Sequence, residues 1–215
     1  MVEGDYITKE QYDVIIKKEK DLTFKLVYKL MWQLGLRVGE IVGTVIQNPQ
    51  WDKHGPNSAT CGEKWLRSLP GIILEDIDRV KAKDIGLPCL HTIHIHRKRH
   101  KEEDLPLPQE LYKEIKEYQK ARGILPNTPL FPVHRSTVYV RLSKFGRTIS
   151  GKKPIHPHAL RRGMGVYETA VKGTPLQEMQ ALYGHTKAAM TFHYIGMERI
   201  EALKSLARRR QYGVK

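Results

Sequence analysis

Apolar residues return every three to four positions over most of this chain, which is the period of helices that bury one face. Between Thr8 and Lys20 they fall at Tyr12, Ile15 and Ile16. Thr8 and Gln11 stand ahead of them at capping-box spacing, so a helix is predicted from Thr8. Leu22, Leu26, Leu30 and Leu34 line one face of a second helix, 21–36, with Gly35 as its C-cap, and a short helix follows over 37–42. Residues 48–70 break the rhythm. Asn48-Pro49, His54-Gly55-Pro56-Asn57 and Leu69-Pro70-Gly71 are turn chemistry, and the segment reads as a long surface insertion.

The period then changes. Ile72-Ile73-Leu74 is a short apolar run and reads as a strand. His91 to His96 alternates at period two and reads as another, and Asp104-Leu105-Pro106-Leu107-Pro108 ends the sheet with a proline suited to an edge. The helical period resumes over 109–121, 136–149, 157–172, 175–183, 187–194 and 197–210. Thr174-Pro175-Leu176-Gln177 offers an N-cap, an N1 proline and a capping-box glutamine. The predicted fold class is α+β, mostly helical with a small antiparallel β-sheet.

Composition narrows the function. The chain has 215 residues, 40% of them hydrophobic, enough for a sizeable core. Its formal net charge of +14 favours a polyanionic partner, of which nucleic acid is the commonest. No run of about 18 apolar residues exists, so no membrane span is expected, and the acidic, polar start does not resemble a signal peptide. Two cysteines, Cys61 and Cys89, do not make a disulfide framework, which suits a cytoplasmic protein. His91, His94, His96 and His100 with those cysteines invite a zinc reading. Cys-x-x-Cys spacing is missing and His94 and His96 are only i+2 neighbours on one strand, so no metal and no other cofactor is expected.

The last third carries the chemistry. His156-Pro157-His158-Ala159-Leu160-Arg161-Arg162 is followed by Leu182-Tyr183-Gly184-His185 and then Phe192-His193-Tyr194. Upstream lie Gly35-Leu36-Arg37-Val38-Gly39-Glu40 and the basic turn Arg97-Lys98-Arg99-His100-Lys101. Taken singly, each residue has an ordinary reading. Arg37 is a surface arginine, His158 and Arg161 are i,i+3 neighbours on any helix, and Tyr194 is a packed tyrosine. Together, histidines, arginines and a tyrosine are the donors and nucleophile for attack on a DNA phosphodiester.

In these motifs the chain resembles the catalytic domain of the tyrosine recombinases of the phage-integrase family. The resemblance runs from Thr8 to Arg210 and leaves the 48–70 insertion unmatched. The family's Gly-Leu-Arg-x-x-Glu box is met by Gly35 to Glu40, and its His-x-x-Arg by His158 and Arg161. Its Leu-Leu-Gly-His is met by Leu182 to His185 with Tyr183 in place of a leucine. Its nucleophile usually lies nine residues beyond that histidine, where Tyr194 stands. Matching Leu105-Pro106-Leu107 to the Val-Pro-Leu that ends the family's hairpin puts Lys98 at the position of its catalytic lysine. Arg97, Arg99 and Lys101 compete for that role or grip phosphates.

The resemblance implies cleavage and rejoining of DNA through a 3′-phosphotyrosine and a Holliday junction, without ATP or metal. A covalent intermediate splits one transfer into two reversible ones. Arg37 and Arg161 would clamp the non-bridging oxygens with planar donor forks, and His185 would add a hydrogen bond. His158 would take the tyrosine proton, and Lys98 would protonate the leaving 5′ oxygen. Glu40 would orient these side chains from behind. Arg97, Arg99, Lys101, Lys152, Lys153 and Arg162 are the expected DNA-binding residues. The expected partners are double-stranded DNA and further copies of the chain, four on two paired sites, weakly associated or monomeric without DNA. The expected location is the prokaryotic nucleoid or a viral host's cytoplasm.

The expected organisation is one catalytic domain over 1–215, with 195–215 a C-terminal helix and tail offered for exchange between protomers. The family's N-terminal core-binding domain has no counterpart in the residues given. Arg162 stands where a histidine often follows the arginine. Gly163 and Gly165 sit within a predicted helix at a cost of about 1 kcal/mol each relative to alanine. A type IB topoisomerase-like enzyme that relaxes DNA, and a DNA-binding regulator without catalysis, are the alternatives.

Overall fold

The computed structural model describes residues 6–47, 65–97, 101–149, 154–185 and 190–191. Lys98, Arg99, Lys152, Lys153 and Tyr194 lie outside them. So do most of the expected 48–70 insertion and the expected helices over 187–194 (apart from 190–191) and 197–210. The chain groups into two compact units. One comprises residues 1–21, 28–36 and 139–215, the other residues 22–27 and 37–138.

In the first unit, helix α1 (Lys9–Lys18) starts at the predicted capping box. The Gln11 amide donates to Thr8 Oγ1 at 3.3 Å, and the Thr8 amide donates to Gln11 Oε1 at 3.0 Å. Two otherwise orphaned N–H groups are thus satisfied. Helix α2 (Leu22–Gln33) supplies its second half to this unit, and Tyr12 of α1 stacks on its Trp32 at 4.4 Å between ring centroids. Helix α5 (Arg135–Ile149) gives this unit its residues from Tyr139 onward. Its Arg141 clamps Glu19, at the end of α1, with Nε to Oε2 at 2.9 Å and Nη2 to Oε1 at 2.7 Å.

Helix α6 (Pro157–Val166) opens with proline at its first position and is followed by helix α7 (Leu176–Tyr183). The predicted 157–172 helix is therefore two pieces, because Tyr167–Lys172 is wound as a π-helix before Gly173 ends it at φ 78°. Thr169 Oγ1 donates to the Gly165 carbonyl at 2.7 Å, a back-bond of the kind that perturbs a helical ladder. The predicted Thr174 cap also differs. The Thr174 hydroxyl donates to Glu168 Oε2 at 3.1 Å, and α7 begins after Pro175 with no side-chain cap. Ile7, Ile15, Leu30, Leu160, Met164 and Met179 are buried in this unit.

In the second unit, helix α3 (Val38–Val42) leads into strand β1 (Thr44–Gln47), which pairs antiparallel with strand β2 (Trp65–Leu69). Strand β2 falls within the predicted 48–70 insertion: four and five residues are too short to show a period amid turn-rich sequence. The predicted strand at 72–74 is not one. Ile73 makes a single bridge to Pro129, and Leu74–Asp76 is one 3₁₀ turn. The Asp76 carboxylate accepts from the Ile73 amide at 2.9 Å and closes that turn, an aspartate competing with a ladder.

The second hairpin follows the prediction. Strand β3 (His91–Arg97) pairs with strand β4 (Lys101–Leu107) in a regular antiparallel register from His91↔Leu107 to Arg97↔Lys101. Ile93, Ile95, Leu105 and Leu107 are buried. The base of the hairpin is pinned by Asp78, whose carboxylate meets His91 Nδ1 and the Thr92 amide, both at 2.9 Å. Helix α4 (Gln109–Arg122) follows, stacks Tyr112 on His91, buries Tyr118 against Phe131 and ends at left-handed Gly123. Among the described residues no helix is long and apolar enough to cross a membrane.

Candidate active site

In the first unit the structure brings Arg161, Tyr183, His185 and Gly35 together. Arg161 lies on α6, one turn beyond exposed His158. Its Nη1 donates to the Gly35 carbonyl and its Nη2 to the Tyr183 carbonyl at 3.0 Å, with the guanidinium 4.3 Å from the Tyr183 ring centroid. The Tyr183 hydroxyl donates back to the Arg161 carbonyl at 2.7 Å. This is a closed cycle: a planar cation held over a π face and anchored on two carbonyls has little rotamer freedom left.

Gly35 belongs in this cycle for a steric reason. It sits at φ +59°, and a Cβ there would come within 2.5 Å of Met164 Cε and 2.8 Å of Tyr183 Cε1. Only glycine keeps the conformation and the space that turn its carbonyl toward Arg161. On the other side, Gly184 ends α7 in the left-handed conformation, φ 62°. His185 follows, buried, with its ring 5.3 Å from that of Tyr183. Its amide donates to the Gln180 carbonyl at 3.0 Å, its carbonyl accepts from Gln180 Nε2 at 3.1 Å, and its Nδ1 meets Thr191 Oγ1 at 2.9 Å. Residues 34–36, 161 and 182–185 come from distant parts of the sequence, and their meeting depends on the fold.

The second unit holds Arg37 and Glu40. Glu40 is buried at the start of α3. Its Oε2 accepts from the Arg37 amide and its Oε1 from Arg37 Nη1, both at 2.7 Å. The i,i+3 spacing of Gly-Leu-Arg-x-x-Glu thus caps the helix and aims the arginine with one carboxylate, a charge-assisted pairing.

Arg97 does not lie where the sequence reading put it. It was expected to grip DNA from the basic turn, yet it is 2% exposed. Its Nε is 2.7 Å from Glu103 Oε2, and its Nη1 is 3.9 Å from Glu40 Oε1. On β3 it shares the phase of Ile93 and Ile95, so the period-two pattern itself points it inward. Arg97 is thus buried and ion-paired on β3, where an exposed cation had been expected. Lys101 is exposed and Arg162 half-buried. The residues that sequence reasoning passed over are Tyr183, noted there only as standing in place of a leucine, and Thr191. For Tyr183 the signal was present: an aromatic one residue before the glycine of the histidine box.

The chain is 25% identical over 143 residues to a tyrosine recombinase of Pseudothermotoga lettingae, an alignment spanning 63% of this chain and 50% of that protein. Its fold is similar to that of XerA recombinase, with TM-score 0.64, 15% identity, and coverage of 95% of this chain and 65% of that one. It is also similar to XerH site-specific recombinase bound to its difH substrate in a pre-cleavage complex, with TM-score 0.61, 15% identity, and coverage of 94% and 52%. The chain thus spans half to two thirds of the length of these relatives. The expected α+β, mostly helical fold is the fold of these recombinases, with two two-stranded antiparallel sheets among the described residues where one small sheet was expected. The sequence profile of the phage integrase family matches residues 75–199, more than half of the chain. This chain belongs to the phage integrase family.

Proposed function

We propose that the chain is the catalytic part of a site-specific tyrosine recombinase that cuts and rejoins double-stranded DNA. The observation that carries the reading is the Arg161–Tyr183–His185 cycle, an immobilised guanidinium beside a histidine, in a member of this family. Tyr194 Oη attacks the phosphorus and forms a phosphotyrosine on the 3′ side. The bond to the 5′ oxygen breaks, and Lys98 protonates that oxygen as it leaves. His158 takes the tyrosine proton and returns it when the 5′ hydroxyl attacks to reseal the strand. Arg37, Arg161 and His185 carry the charge that develops on the non-bridging oxygens. A missing preorganised donor of this kind typically costs about 10²–10³ in rate.

Arg161 is 0% exposed. In this reading DNA binding therefore includes an opening that lets a phosphate reach it. Arg99, Lys101, Lys152, Lys153 and Arg162 hold the backbone, and four protomers act on two DNA sites through a Holliday junction.

The test is trapping on nicked suicide DNA, with the adduct mapped by peptide mass spectrometry. A 3′ adduct on Tyr194, absent in Tyr194→Phe while DNA binding is kept, is the expected result. An adduct persisting in Tyr194→Phe overturns the assignment of the nucleophile. Relaxation of supercoils without any junction product places the chain with type IB topoisomerases instead. Binding without an adduct on any substrate makes it a regulator.

A further inference from the structure

We infer that the β3–β4 hairpin holds a divalent transition-metal site of zinc type, formed by His94, His96 and Glu102 with Asp104 behind His94. From sequence no metal is expected here, since Cys-x-x-Cys spacing is missing and His94 and His96 are only i+2 neighbours on one strand. Strand pairing supplies a third ligand. The register sets His94 opposite Asp104 and His96 opposite Glu102, so all four side chains share one face of the ladder. The ligand atoms of His94, His96 and Glu102 all lie within 4.8 Å of one another.

The state of His94 points to a cation. It is 5% exposed, and its Nδ1 is 3.0 Å from Asp104 Oδ1, so Nδ1 carries the hydrogen in the neutral ring. The lone pair is then on Nε2. That atom is buried, makes no hydrogen bond to any described residue, and faces Glu102 Oε2 at 3.4 Å. A lone pair facing a carboxylate oxygen is repulsive unless a positive charge stands between them. The other carboxylate oxygen, Glu102 Oε1, faces His96 Nδ1 at 3.3 Å. Tetrahedral zinc with bonds of roughly 2.0–2.1 Å separates its ligand atoms by about 3.3 Å, the spacing these two pairs already have.

The donor set fits that class of ion. Two imidazoles and one carboxylate suit zinc, with one coordination position left for water, and a carboxylate on the far nitrogen of a ligating histidine is the usual support. The ion would tie β3 to β4, the strands that flank Lys98 in the sequence, and so stiffen their pairing. It takes no part in the phosphoryl transfer, so this inference stands or falls independently of the proposed reaction.

The full chain, stripped with chelator, is titrated with Zn²⁺ by calorimetry and with Co²⁺ by visible absorption. Expected are one equivalent of saturable binding and the absorption of cobalt bound by nitrogen and oxygen in low symmetry. His96→Ala and Glu102→Gln, both at partly exposed positions, weaken binding at least tenfold while keeping the wild-type circular dichroism. Asp104→Asn weakens it by about 10–100-fold, and Cys89→Ser leaves it unchanged. Saturation missing in the wild type overturns the proposal, as does a thiolate-to-cobalt charge-transfer band or unchanged affinity in both ligand variants. The wild-type spectrum decides the matter even if a variant misfolds. Protons alone bridging these groups would give no cobalt spectrum.

Discussion

Replacing Gly163 by alanine pits two effects of opposite sign against each other. Helix propensity alone favours the change by about 1 kcal/mol, since Gly163 lies inside α6. Packing opposes it. A Cβ at this position would fall well inside the contact distance of the Ile7 carbonyl oxygen, 2.9 Å from Trp32 Cζ3 and 3.1 Å from the Ile7 carbonyl carbon. The Ile7 atoms are backbone and cannot swing away like a side-chain tip. Withdrawal strains the bond from the Ile7 amide to the Ala159 carbonyl, 3.3 Å long and one turn before Gly163. Overpacking typically costs about 1–3 kcal/mol, and a lost backbone hydrogen bond adds about 1 kcal/mol. After the propensity gain, the net is a loss of about 1–3 kcal/mol. The assay is urea unfolding by circular dichroism, read as a fall in midpoint at constant slope. Gly39→Ala is the control. Its Cβ meets nothing closer than Thr44 Cγ2 at 3.6 Å, so it should be neutral or slightly stabilising. A Gly163→Ala protein as stable as the wild type or more so would refute the close approach of Ile7 to α6.

Arg141→Ala should cost about 2 kcal/mol, because Glu19 is 2% exposed and, among the described residues, would keep only its bond to the Asp21 amide. Burial pushes the Glu19 carboxyl up, but the Arg141 fork and the Asp21 amide outweigh it, and the net is a pKa below the ordinary glutamate value of 4.5. Its stabilisation is therefore complete above that value and is lost as pH falls through the lowered folded one. Urea midpoints measured across this range should fall on acidification in the wild type and fall less in Arg141→Ala; equal slopes would remove the linkage. Arg97→Met should lower stability by about 2 kcal/mol or more, as Glu40 and Glu103 lose a buried partner. It should leave the salt dependence of DNA binding unchanged, whereas Lys101→Ala lowers the slope by about 1. A stable Arg97→Met with a reduced slope would return Arg97 to the DNA.

Several features of this protein were decided within the reach of local sequence. The capping box at Thr8 and Gln11, the left-handed Gly123 and the Arg37–Glu40 pair involve residues at most a few positions apart, so short-range sterics and hydrogen bonding determine them. The β3–β4 pairing is also local, two segments a few positions apart in the sequence, and Arg97 shares the phase of buried Ile93 and Ile95. Other features wait for tertiary contacts. That the Gly35 carbonyl holds Arg161, 126 positions away, depends on how α6 packs, and no periodicity encodes it. The glycine at 163 contradicts helix propensity until the Ile7 backbone is laid against it. The π turn at 167–172 and the 3₁₀ turn at 74–76 arise where a threonine and an aspartate compete for backbone groups, a balance that context tips. The face shared by His94, His96, Glu102 and Asp104 belongs to two strands at once. Each strand alone shows half a site, and only the register joins the halves.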